Sequence, residues 1–334
     1  MAKEKFRSIN FRADAREKIE QMDSIIQEYQ GQGLRLTARQ LYYQFVSRDL
    51  IPNKDTEYKK LTALLTDARY AGMIDWDAIE DRGREPNTPN EWDDLQDRVS
   101  SALRSYRLPR WKGQPKYVEL WVEKQALAGV LEPIAYEFHA TLMVNKGYSS
   151  ASAMKESAER IKTACVTDRT LYDDIYERLE RTNGLDEDDE ERREAKQYMH
   201  ENISQALRTP VVLYLGDHDP SGEDMVRDIS VRLKEFGVLW LQVEKVGLTI
   251  AQVKQYNPPP NPAKIADPRA ANYIAKFGNS SWEVDALPPN VLTRLIRAAF
   301  TRHIDRAAMD AVKAQEERDK ELLTQATAKI MKKR

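Results

Sequence analysis

Apolar residues recur at helical spacing over residues 10–30, where Ile19, Met22, Ile25 and Ile26 share one face before the break GQG. A second helix starts at Thr37 in LTARQLYYQF. The spacing T-A-R-Q is a capping box in which Gln40 reaches back to the Thr37 amide. After the turn IPNKDT, with Asp55 or Thr56 as cap, YKKLTALLTDARYAG puts Tyr58, Leu61, Leu64, Leu65 and Ala68 on one face. IDWDAIEDRGR then reads as a strand and turn, and REPNTPNEW as a loop. Three short helices followed by a strand-turn element predict a helix-turn-helix or winged-helix module over 1–110.

From Lys116 the pattern changes to alternating strands and helices. YVELWVE is a buried strand, KQALAGVLEPIAYEF an amphipathic helix, TLMVN a second strand, and KGYSSASAMKESAERIKTA a turn into a second helix. A charged helical insertion at 168–208 precedes a third strand, PVVLYLG, the turn DHDPSG, a helix, and a fourth strand, VLWLQVEKV. This alternation predicts an α/β domain over 111–300 with a mainly parallel sheet covered by helices. NPPPNPAKIADPR is irregular, and SSWEVDALPPNVLTRLIRAAF leads into a charged helical tail at 301–334. No internal repeat is visible.

With 334 residues, 41% hydrophobic and 32% charged, the chain has enough apolar material for two domains. Its one cysteine, Cys165, excludes an internal disulfide. No apolar run approaches the roughly 20 residues that a bilayer span needs, and the start MAKEKFRSINFRADAREK carries no apolar segment, so a soluble, cytoplasmic protein is expected. A net charge of −2 does not announce a polyanion partner, but charge is unevenly placed. LDEDDEERRE is acidic, whereas RSYRLPRWKGQPK is basic; with Tyr106, Arg110, Trp111 and Lys112 it offers contacts to a phosphate backbone.

Ligands of open α/β sheets sit outside the carboxyl ends of the strands. There the first strand presents Glu123 and the third presents Asp217 and Asp219 in LGDHDPSG. Three carboxylates at one edge suit a hard cation such as Mg²⁺, and D-x-D spacing in an extended segment points both aspartates the same way, leaving His218 a bystander. Capping of the following helix by Asp217 or Asp219 is the competing explanation. Lys124 is placed to neutralise a phosphate. The turn KGYSS, with Lys146 and Ser149, offers a further phosphate contact, or a simple cap from Ser149 or Ser150.

On the wheel of the helix from Thr37, Ala38, Leu41, Tyr42 and Phe45 form the apolar arc, while Arg39, Tyr43 and Ser47 lie on another. Tyr42 is therefore expected in the core and Tyr43 at the surface beside Arg39.

ELWVEK, NKGYSS and LYLGDHDPSGEDM together resemble a toprim domain, the metal-binding fold of topoisomerases, bacterial primases and certain nucleases. LTARQLYYQF followed by ALLTDARYAG is similar to the winged-helix module of topoisomerase VI A subunits and meiotic double-strand-break proteins, in the same order along the chain. The length resembles the small stand-alone A-like proteins of phages and plasmids. The resemblance implies that Tyr43 is the nucleophile of an R-[DE]-x-[YF]-Y motif, with Arg39 its arginine and Gln40 in place of the usual acid. It also implies Mg²⁺ on Glu123, Asp217 and Asp219, double-stranded DNA as substrate, a homodimer in which one subunit's tyrosine meets the other's metal, and 5′-phosphotyrosyl breaks. No ATPase module is recognisable, so strand passage would need an ATPase partner. Two other readings remain: a toprim nuclease using metal-activated water, and a non-catalytic DNA-binding or assembly protein.

Overall fold

The computed structural model describes residues 3–80, 89–145, 147, 149–262 and 267–331. Helices α1 (Ala13–Gln30), α2 (Ala38–Ser47) and α3 (Asp55–Tyr70) pack around Met22, Ile26, Leu41, Phe45, Leu61 and Leu65. The two-residue strands β1 (Leu36–Thr37) and β2 (Ile79–Glu80) pair in parallel beside them. The capping box on α2 is present in full: the Gln40 amide donates to Thr37 Oγ1 at 3.1 Å and the Thr37 amide to Gln40 Oε1 at 2.9 Å. Neither Asp55 nor Thr56 caps α3, whose N-cap is Lys54; Asp55 and Glu57 instead set negative charge in its first turn.

The second half is α/β, as expected. Strands β3 (Lys116–Val122), β4 (Leu142–Val144), β5 (Thr209–Leu215) and β6 (Gln242–Gly247) form a parallel sheet in the order β4-β3-β5-β6. Alternate residues of β3 and β5 serve opposite faces. Val118, Leu120, Val122, Val211, Leu213 and Leu215 face a core shared with α5 (Ala128–Glu137) and α12 (Pro289–His303). Trp121, Val212 and Tyr214 face α6 (Ala151–Cys165) and α9 (Pro220–Glu235). Burial on both faces is why these strands read as continuous apolar runs.

The insertion at 168–208 is helical: α7 (Arg169–Arg181) and α8 (Glu190–Ala206) close on Tyr172, Ile175 and Ile203. The long helix α13 (Arg306–Met331) lies against α4 (Leu95–Ser105), joined by Tyr106 Oη donating to Asp319 at 2.8 Å. Among the described residues no helix is long and apolar enough to cross a membrane.

Between β6 and α12, helix α10 (Ile250–Tyr256) leads to the two-residue strand β7 (Asn261–Pro262), which pairs antiparallel with β8 (Ser280–Ser281) across α11 (Ala270–Phe277). The segment after β8, WEVDAL, joins the two halves: Ala286 packs into the N-terminal helical core and Val284 and Leu287 into the sheet core.

Candidate metal and tyrosine site

The sheet order places the topological switch point at β3 and β5, because β3 leads to β4 on one side and the chain then returns to β5 on the other. Val122 is in register with Leu215, and the Glu123 amide donates to Leu215 O at 2.9 Å, so Glu123 and Asp217 leave the sheet side by side. Glu123 Oε2 accepts from the Asp217 amide at 3.1 Å and from Tyr214 Oη at 3.4 Å. Asp217 Oδ1 accepts from the Val284 amide at 2.9 Å and meets Lys124 Nζ at 3.1 Å.

Asp219 is the N-cap of α9, its Oδ1 accepting from the Gly222 amide at 2.7 Å and Ser221 Oγ at 2.8 Å, with Pro220 opening the helix. The two aspartates therefore differ in their partners. A Cβ on residue 222 would lie 2.2 Å from Asp217 O, so only glycine allows the turn to fold this tightly. His218 is buried and structural: its backbone pairs with Trp282, and Nδ1 lies 2.7 Å from Tyr273 Oη.

Three further residues, Glu283, Asp285 and Asn261, complete the site. Glu283 holds the Arg39 guanidinium in a fork, at 2.7 and 3.2 Å, and Lys124 Nζ donates to Glu283 Oε2 at 2.9 Å and to Asp285 Oδ1 at 2.7 Å. Asn261 Nδ2 donates to both Tyr43 Oη and Glu283 Oε1 at 3.4 Å. The signal was in the sequence as E-x-D in WEVDAL, two acids alternating with apolar residues.

Tyr43 is not at the surface. It is 1% exposed, because α2 is sandwiched between its neighbouring helices and the segment Val284–Ala286, although Ser47 on the same arc stays exposed. Tyr42 is buried as expected, its hydroxyl donating to Asn53 Oδ1 at 2.9 Å. Arg39 does accompany Tyr43, 5.6 Å from its ring centre. The remaining candidates scatter. Arg110 pairs with the buried Glu316 at 3.2 Å, Lys112 is exposed, Ser149 is buried, Ser150 rather than Ser149 caps α6, and Lys146 lies outside the described residues. Trp111 is a core residue donating to Phe138 O and His139 O, which removes it from a phosphate surface.

Burial, with Glu123 and Asp285 close by, pushes the Asp217 carboxyl up to about 7 against the opposing pull of Lys124. Glu283 is held at about 2 by Lys124 and Arg39 in spite of its own burial. Burial, reinforced by Glu283 and Asp285, pushes the Tyr43 phenol well above its ordinary value.

Among the described residues no three Asp, Glu, His or Cys side chains converge as metal ligands. The donor chemistry nevertheless fits a hard cation. The hydrogen bonds of Glu123 and Asp217 fall on one oxygen each, and carboxylate oxygens are the ligands such a cation takes. A cleft of about 300 Å³ unites the parts, lined among others by Arg39, Tyr43, Asp217, Asp219, Asn261 and Glu283. A larger cleft of about 690 Å³ beside Arg35 and Arg294 holds none of these residues.

Asp217 also gives the site a pH signature. Between its ordinary value of 3.8 and about 7 the folded protein keeps a proton that the unfolded chain has lost, so stability falls as pH rises through this window and the deficit is complete above it. Asp217→Asn, which can still accept from Val284, is expected to exceed the metal-free wild type by roughly 1–3 kcal/mol at pH 8 and to match it near pH 4. Urea unfolding at the two pH values measures this; a less stable variant at pH 8 contradicts the raised carboxyl.

Comparison with family models, curated proteins and solved structures returns no match for the chain.

Proposed function

We propose that the chain cleaves double-stranded DNA by transesterification through Tyr43, with Mg²⁺ held by Glu123, Asp217 and Asp219, as the resemblance to topoisomerase VI A subunits implies. In this reading the N-terminal half is the winged-helix module and the sheet half the toprim domain. The observation that carries it is the shared cleft: a tyrosine and an arginine from α2 line the same space as Asp217 and Asp219. When bound, the cation neutralises and polarises the phosphate under attack.

The protein's own groups do the rest. A bond forms between Tyr43 Oη and phosphorus as the bond from phosphorus to the 3′ oxygen breaks. The phenol proton passes through solvent to the departing 3′ oxygen, which becomes a hydroxyl, leaving a 5′-phosphotyrosyl end. Arg39 exchanges its fork on Glu283 for the phosphate oxygens, a match of planar donor to tetrahedral acceptor. Because Asn261 of β7 donates to Tyr43 Oη, this strand must part from α2 before attack. The resemblance implies a homodimer in which one subunit's tyrosine meets the other's metal; Tyr43, Asp217 and Asp219 also line one cleft within a single chain, and either pairing gives a dimer two sites for the two strands, with an ATPase partner needed only for strand passage.

One observation favours a second reading, hydrolysis by water. Tyr43 is buried, whereas Asp217 with its carboxyl near 7 suits a general base at neutral pH. The deciding experiment mixes protein, Mg²⁺ and supercoiled plasmid, quenches with detergent, and asks whether protein stays attached to 5′ ends. Attached protein, lost in Glu123→Gln, is the expected result. Cut DNA with free ends selects the water route, and no binding to duplex DNA at low salt removes both.

A further inference from the structure

The ammonium of Lys124 sits among three carboxylates drawn from two stretches of the chain: Asp285 Oδ1 at 2.7 Å, Glu283 Oε2 at 2.9 Å and Asp217 Oδ1 at 3.1 Å. Asp285 is 3% and Asp217 6% exposed, so neither acid can rely on water for neutralisation. The positive charge that these carboxylates need is supplied by an ammonium tethered to residue 124. Asp217 is also the central carboxylate of the metal assignment above, on which this inference rests.

We propose that Lys124 is a built-in counter-ion that competes with the divalent cation for Asp217. Two positive charges on one buried carboxylate repel each other strongly at such distances. The four-carbon stem lets the ammonium withdraw from Asp217 while keeping Glu283 and Asp285, or turn into the cleft. The lysine thus keeps the acids neutralised in the metal-free protein and sets the threshold at which the metal enters. The sign of its effect is opposite to that of a lysine that helps to hold the metal.

Isothermal titration with MnCl₂ tests this on the full chain. Lys124→Met, which keeps the stem and loses the charge, is expected to bind about tenfold more tightly than wild type and to gain a larger rise in melting temperature on adding Mn²⁺. Lys124→Arg keeps the charge and is expected within about threefold of wild type on the same grounds. Equal or weaker binding by folded Lys124→Met overturns the competition while leaving the metal assignment standing. No binding by wild type or by either variant removes the metal assignment, and this inference with it. Should Lys124→Met fail to fold, Asp285→Asn with and without Lys124→Met gives the same comparison with one fewer acid left unpaired.

Discussion

Tyr43→Phe is expected to keep the fold and to lose covalent capture of DNA. The ring is held by packing: it lies 5.3 Å from Tyr42 and under the Arg39 guanidinium, and phenylalanine fills the same space. The hydroxyl adds little to stability, since its partner is Asn261 Nδ2 at a long 3.4 Å. Unfolding free energy should change by less than about 1 kcal/mol. Covalent adduct should fall by roughly 10⁴-fold or more, because the variant has no atom with which to bond phosphorus. Denaturation and detergent-trapped cleavage, run side by side, separate the two effects. A variant that still cuts, with free 5′ ends, assigns the chemistry to water and reduces Tyr43 to a packing residue.

The largest effect on stability is expected away from the cleft. Glu119 points from the middle of β3 into the face covered by α6 and α9 and is 0% exposed. Its oxygens accept from Arg160 in a fork at 2.9 and 3.0 Å, from Tyr117 Oη at 3.0 Å and from Trp121 Nε1 at 2.9 Å. Arg160→Met would leave a buried carboxylate with two neutral donors and no counter-charge. That change costs about 3–5 kcal/mol in comparable buried pairs. Adding Glu119→Gln removes the charge and should recover more than half of the loss in urea unfolding. If Arg160→Met alone unfolds like wild type, the pair contributes nothing to the fold.

These two residues also show what the chain reveals on inspection. YVELWVE and PVVLYLG are legible as sheet strands because burial on both faces leaves an unbroken apolar signature. The capping box at Thr37 is legible because all its atoms lie within four residues. Glu119 looks out of place in such a strand, and nothing local shows that its counter-charge comes from position 160. The surface position expected for Tyr43 failed for the same reason. A wheel describes one helix, and Asn261, which donates to this hydroxyl, and the segment Val284–Ala286 packed on α2 come from more than 200 residues away. Of the two local readings of D-x-D, the cap is present at Asp219, while Asp217 joins a charge cluster with Lys124 that also takes in Glu283 and Asp285 from WEVDAL.

The run from Arg39 through Glu283 and Lys124 to Asp217 makes the tyrosine and the acids thermodynamically linked sites. Linkage is reciprocal. A phosphate that draws Arg39 off Glu283 leaves that carboxylate to hold Lys124 more strongly, loosening the ammonium's grip on Asp217 and raising affinity for a metal. By the same free energy, a metal at Asp217 drives Lys124 onto Glu283 and weakens the clasp over Tyr43. On the proposed function, substrate and cation each lower the other's barrier to entry.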